Sequence, residues 1–261
     1  MLDALRLQLE WGADEAYAET PLDRRQAAPP SAPAITKAPD RKPIPGPRTA
    51  AIPAGPAEAA RLAAACDTLE ALQAALQNFT GCALKDTATQ LVFADGNPDA
   101  RIVLVGEAPG AEEDRVGRPF VGPAGQLLDK MLASIGLDRT KLRIINVVPW
   151  RPPGNRVPAE SEIAVCLPFL HRQIALIRPD CLVLLGAVAA KAMLPEPYRG
   201  QGIRRVRGSW LEVAVTGLDH KLPCLPTYHP AYLLRTPAEK RLAWADLLAL
   251  RAHVETFRKT S

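Results

Sequence analysis

Five short apolar runs constrain this chain more than any other feature: Ile102 to Val105, Leu142 to Val148, Leu182 to Leu185, Leu211 to Val215 and Leu222 to Thr227. The first and third are unbroken, four residues each, which is too short for a buried helix and suits a strand covered on both faces. Between the runs lie segments of helical period near Gly125 to Ile135, Ala159 to Ile177 and Ala187 to Leu194. Two more helices are expected, from about Glu58 to Leu76 and from Ala238 to about Phe257. Strands alternating with helices predict an α/β fold, three layers (α/β/α) around a mostly parallel central sheet of about four strands. No internal repeat interrupts the pattern.

Ahead of this domain the composition changes. From Thr20 to Pro56 the chain is dominated by Pro, Ala, Lys and Arg, with too little large apolar surface to offset its ordering entropy. Three regions follow: an amphipathic helix over 1–19, carrying Leu2, Leu5, Leu7, Leu9 and Trp11; a Pro/Ala-rich disordered linker over 20–56; and a folded domain over 57–261. The helix either docks on the domain or binds a protein partner. The start lacks the basic region of a secretory signal, and no run of about 18 apolar residues occurs, so the expectation is a cytoplasmic monomer with no membrane partner. Cys66, Cys82, Cys166, Cys181 and Cys224 form no CxxC pair and read as reduced thiols. A formal charge of +4 hints at a polyanionic partner, and Arg199, Arg204, Arg205 and Arg207 crowd into one stretch.

Chemistry concentrates in three loops that follow strands. They are Gly106 to Gly125 (GEAPGAEEDRVGRPFVGPAG), Asn146 to Arg156 (NVVPWRPPGNR) and Thr227 to Arg235 (TYHPAYLLR). Neighbouring parallel strands bring their carboxyl ends to one crevice, where open α/β sheets hold ligands. Glu107, Phe120, Asn146 and His229 therefore share a pocket. Singly, each has a plainer reading: a turn cap, a hydrophobic plug, a strand-edge amide, a hydrogen-bonded core histidine. Together, a carboxylate, an aromatic face, an amide and an imidazole are what reading a flat nitrogenous base requires. Neither a G-x-x-x-x-G-K-[ST] loop nor a G-x-G-x-x-G fingerprint follows a strand, which disfavours a nucleotide-hydrolysing protein.

The motifs GEAPG, EED, GRPFVG, AGQLL, RPPGNR and HPAYLLR, in this order, resemble the uracil-DNA glycosylase superfamily, most closely its family 4, over roughly residues 62 to 255. The resemblance implies a base-excision-repair enzyme that flips uracil out of single- or double-stranded DNA and hydrolyses its bond to deoxyribose. It implies that Gly106, Glu107 and Ala108 surround the scissile bond, that Phe120 stacks on the base, that Asn146 reads the uracil edge and that His229 donates to uracil O2. Glu107, Asn146 and His229 are then the catalytic set. Some branches carry an Asp at the position of Ala108, so Glu107 is the first candidate to orient the water and Glu113 the second. Leu233 and Leu234 correspond to the region of a DNA wedge, and Arg151, Arg156, Arg204, Arg205, Arg207 and Arg235 are candidate phosphate contacts.

Two departures qualify the resemblance. Family 4 members hold a four-iron, four-sulfur cluster on four cysteines; Cys82 and Cys166 match two of those positions, whereas Phe79 and Trp150 occupy the others. Neither Phe nor Trp ligates iron. No cluster and no metal are therefore expected, with the two aromatic side chains filling the volume. A related branch links itself covalently to its abasic product through a histidine in a basic insertion, and Val148 to Asn155 contains none. The alternative from another functional class is a non-catalytic protein that binds damaged or abasic DNA.

Overall fold

A computed structural model describes residues 55–258. The helix expected over 1–19 and all but the end of the linker expected over 20–56 lie outside the described residues. In chain order the structure contains helices α1 (Pro56–Ala64), α2 (Leu69–Asn78) and α3 (Leu84–Thr87), strands β1 (Asp95–Gly96) and β2 (Ile102–Gly106), and helices α4 (Ala111–Val116) and α5 (Pro123–Ala133). Then come β3 (Arg143–Asn146), α6 (Glu160–Ile177), β4 (Cys181–Leu185), α7 (Ala187–Met193), α8 (Ile203–Val206), β5 (Leu211–Ala214), β6 (Lys221–Thr227), α9 (Pro230–Arg235) and α10 (Lys240–Arg258).

The sheet has six strands in the order β1-β3-β2-β4-β6-β5. Its four middle strands run parallel, and β1 and β5 pair antiparallel at the two edges. The expectation of about four strands thus holds for the parallel part, and the edges bring the total to six. Alternation along the buried strands separates the layers. Val103, Val105, Leu182 and Leu184 join residues of α1, α2, α6 and α7 in one core. Their neighbours Ile102, Leu104, Val183 and Leu185 pack with Leu128, Leu132, Leu247 and Leu250 of α5 and α10 in the other. Burying each of these side chains stabilises the fold by about 1.5–3 kcal/mol.

The helix expected from about Glu58 to Leu76 is two helices. Its break falls after Ala64, and Thr68 starts the second by accepting the Ala71 N–H at 3.1 Å, as a Thr cap does. None of the described helices is long and apolar enough to cross a membrane.

Candidate active site

The pocket is built at the carboxyl ends of β2, β3 and β6. Its first wall begins where β2 ends. The ladder between β2 and β3 continues past the strands, with Val147 N–H donating to Gly106 C=O at 3.0 Å and Val148 N–H to Glu107 C=O at 3.1 Å. The backbone of Glu107 is thereby fixed beside the second loop. A Cβ on Gly106 would lie 2.3 Å from Asn146 Oδ1 and 2.6 Å from Phe120 Cε2, so only glycine lets the amide and the ring close over the strand end.

The rest of the first loop is organised by Glu113. At the third position of α4 its carboxylate reaches back to Gly110 N–H at 3.1 Å and forward to Val121 N–H and Gly122 N–H at 2.9 and 2.8 Å. A carboxylate at a helix start is favoured by the orphan N–H groups there. Here it also pins the far end of the loop. Glu113 is accordingly committed to backbone donors, which corrects its place as second candidate for activating water. Phe120, between these anchors, has φ +55°, a conformation costly for a bulky residue. Arg139 donates to the carbonyls of Phe120 and Pro119, and Gly125 lets α5 pass against the Phe120 carbonyl, where a Cβ would come within 1.7 Å. The ring is buried, 5 % exposed, with its centroid 5.4 Å from that of His229.

His229 precedes Pro230 at the start of α9. Its Nδ1 accepts the Ala231 N–H at 3.1 Å, so the proton of the neutral ring resides on Nε2. Burial, helped by the nearby Arg235 guanidinium and opposed by Glu113, pushes its pKa down to about 4. The ring is thus neutral and donating at physiological pH. Gly186, at the end of β4 with φ +94°, makes room for it: a Cβ there would lie 2.8 Å from that of His229.

Glu107, Ala108, Phe120, Asn146 and His229 line one cavity of about 450 Å³, with Gly106 beneath them. Burial raises the Glu107 carboxyl above the ordinary range, and Arg235 opposes the shift. Asn146 is 7 % exposed, and its Oδ1 is buried without a hydrogen-bond partner. Such a group costs free energy until something fills it. The pocket therefore offers a raised carboxyl, an unsatisfied amide, a neutral imidazole donor and an aromatic ring.

Around the rim the sequence expectations divide. Arg156 and Arg235 line the cavity, and Arg151 donates to the lining residue Asn155 at 2.7 Å. Arg204 and Arg205 are exposed, the former paired with Glu239 at 2.6 Å. Arg207 is not a phosphate contact: it is paired with Asp246, a carboxylate only 2 % exposed that also accepts from Thr227 Oγ1 at 2.6 Å. Nor is Leu233 a wedge, being 1 % exposed among Tyr228 and Ala243, while Leu234 is 43 % exposed. Arg139 and Tyr232 were not selected from the sequence, and Glu113 only as a second candidate to activate water. Only Glu113 carries a local signal, standing three residues after the helix-starting Gly110.

Cys82 and Cys166 meet with their Sγ atoms 3.9 Å apart, in the same apolar core as Phe79 and Trp150. The cavity beside Cys166 is only about 10 Å³, room for about one water. Among the described residues no three or more His, Cys, Asp or Glu side chains group as metal ligands. Two thiols and two packed aromatic rings do not fit a four-thiolate cluster.

The sequence model of the Uracil DNA glycosylase superfamily matches residues 93–248. A type-4 uracil-DNA glycosylase of Thermotoga maritima is 39% identical over 191 residues, 72% of this chain and 96% of the relative. One from Pyrobaculum aerophilum is 40% identical over 171 residues, 65% and 86% of the respective chains, and one from Archaeoglobus fulgidus 45% identical over 157 residues, 60% and 78%. With that match spanning β2 to β6 and all three pocket loops, the chain belongs to the uracil DNA glycosylase superfamily.

Proposed function

We propose that this chain is a monofunctional uracil-DNA glycosylase of base excision repair, which hydrolyses the bond between uracil and deoxyribose C1' and leaves an abasic site. The observation that carries the reading is the neutral Nε2–H of His229 facing the same cavity as the unpaired Asn146 amide. Uracil leaves as an anion with charge on O2, and the bond breaks with cation character on the sugar, as in other glycoside cleavages. A positioned donor in a dry pocket stabilises such a developing charge by about 2.7–4 kcal/mol. His229 supplies that donor. Asn146 presents an acceptor and a donor to the N3–H and O4 edge, and Phe120 covers a face of the base. Extrusion costs a few kcal/mol of stacking, least at a mismatched pair. Leu234 is the candidate to fill the gap left in the duplex.

Glu107 orients the water. Its raised carboxyl stands at the end of β2, with Ala108 leaving no carboxylate at the next position. The protein works without an iron-sulfur cluster: the core around Cys82 and Cys166 is closed by Phe79 and Trp150. Iron and sulfide analysis of protein purified anaerobically is expected to find neither, and stoichiometric amounts of both would overturn this part of the reading. The function itself is tested by single-turnover release of base from matched oligonucleotides bearing uracil, hypoxanthine or xanthine. Release of uracil is expected. Binding to abasic DNA without release of any base would favour the non-catalytic alternative.

A further inference from the structure

An asparagine amide alone does not distinguish uracil from cytosine. Uracil presents a donor at N3 and an acceptor at O4; cytosine presents an acceptor at N3 and a donor at N4. Rotating the Asn amide by half a turn exchanges its own donor and acceptor, so an amide free to rotate reads either base. Discrimination needs a second group that holds the oxygen on one side. In this structure no protein group does so directly, since Asn146 Oδ1 is buried and unpartnered.

A second orphan lies behind it. Gln173 on α6 is 4 % exposed, and its Nε2 is likewise buried without a partner. Gln173 and Asn146 both line the small cavity of about 10 Å³, along with Val147, Cys166, Phe169 and Leu170. Asn146 thus stands in the partition between this cavity and the large pocket, which it also lines. One orphan is a donor and the other an acceptor. A single water fits the volume and has use for two such partners.

Building on the uracil reading above, we propose that Gln173 is a specificity-determining positioning residue: through one buried water, accepting from Gln173 Nε2–H and donating to Asn146 Oδ1, it locks the Asn146 amide in the uracil-reading orientation. The rotated amide would set two donors against that water and leave it nothing to donate to on the Asn146 side. A buried hydrogen bond lost in this way corresponds to about tenfold in the population of the rotated form.

The test uses the full-length protein and its Gln173→Met variant, which keeps the side chain's length and removes the donor. Folded Gln173→Met, with an unchanged melting temperature, is expected to release uracil more slowly in single turnover, by about twofold if the two amide orientations become equally populated. Its ratio of uracil to cytosine release should narrow by about tenfold. An unchanged rate and ratio in folded variant protein would overturn the proposal. A second measurement does not depend on activity or on the variant folding: in ¹⁵N-labelled wild-type protein, the Gln173 side-chain amide should show a cross-peak to a long-lived water. Its absence would overturn the proposal equally. Failure of the wild type to release uracil would instead defeat the glycosylase reading, and the water cross-peak would still decide the arrangement of Gln173 and Asn146.

Discussion

At the scale of single residues, His229 does two things with one ring: Nδ1 caps a helix and Nε2–H faces the pocket. The cap requires the neutral form, because Nδ1 must accept, and the depressed pKa provides it. The folded ring takes up a proton only near pH 4, against 6.5 for an ordinary histidine. Between those values the unfolded state binds more protons. This contribution is therefore fully present above about pH 6.5 and declines as pH falls towards about 4, by roughly 3 kcal/mol in all. His229→Asn keeps a cap acceptor and does not titrate; urea unfolding of both proteins from pH 7 to pH 4 should show the wild type losing more stability by about that amount. Glu107→Gln should slow single-turnover cleavage by at least about a hundredfold, within the range of general acid–base effects, while DNA affinity changes little. Equal losses in both would remove Glu107 from catalysis. Glu107, Phe120, Asn146 and His229 were legible in the sequence because each sits at the end of an apolar run or in the loop that follows it, where topology forces convergence. Glu113 was picked out for activating water and not as the backbone anchor it is, and Arg139 and Gln173 were not picked out. They act on backbone groups or on another side chain at long sequence separation, and nothing local marks them.

Among the elements, the short helix α9 shows how little separates a structural leucine from a functional one. Leu233 and Leu234 are adjacent, yet one closes a core and the other meets solvent. Leu233→Ala should cost about 2–5 kcal/mol of stability in denaturant titrations. Leu234→Ala should leave stability within about 0.5 kcal/mol and slow uracil release from duplex more than from single strands. Stopped-flow fluorescence of a base analogue beside the uracil separates extrusion from cleavage. The turn from β4 into α7 depends equally on one residue. Gly186→Ala would put a methyl group 2.8 Å from the His229 Cβ at φ +94°. A loss of about 1–3 kcal/mol is expected, read by the same titration, with a fall in cleavage as the ring is displaced. The buried strands were readable as elements from their continuity. The two-residue β1 was not, because Asp95 and Gly96 carry no strand pattern and pair only where β3 presents an edge. The gap between α1 and α2 was hidden by helix-compatible residues on either side of it.

For the whole molecule, charge around the pocket rim is the property that DNA would sense. Arg151, Arg156 and Arg235 converge there, and replacing any one by Ala should flatten the dependence of log affinity on log salt by about 0.7–0.9, lowering affinity for all sequences alike. Arg207→Ala should leave that slope unchanged and instead destabilise the fold, by about 3–5 kcal/mol, because Asp246 would remain buried without its partner. Fluorescence anisotropy across a salt series distinguishes the two. The α/β architecture was legible from alternation alone. Which arginine faces solvent was not, since Arg204 and Arg205 lie on the four-residue α8 and Arg207 just past it, and nothing in their spacing marks the one that turns to Asp246.

The strand order bears on how this site comes into being. Strand β2 pairs with β4, and the joint is closed by Arg101 and Asp180, which are 79 residues apart in the chain. Pairings of such long range are entropically slow to form, and folding rates fall as they accumulate. The pocket needs three of these parallel strands at once: β2 for Glu107, β3 for Asn146 and β6 for His229. No local fragment contains it. Recovery of uracil excision on dilution from denaturant should therefore lag behind recovery of helical circular dichroism, with the working pocket emerging among the last events of folding.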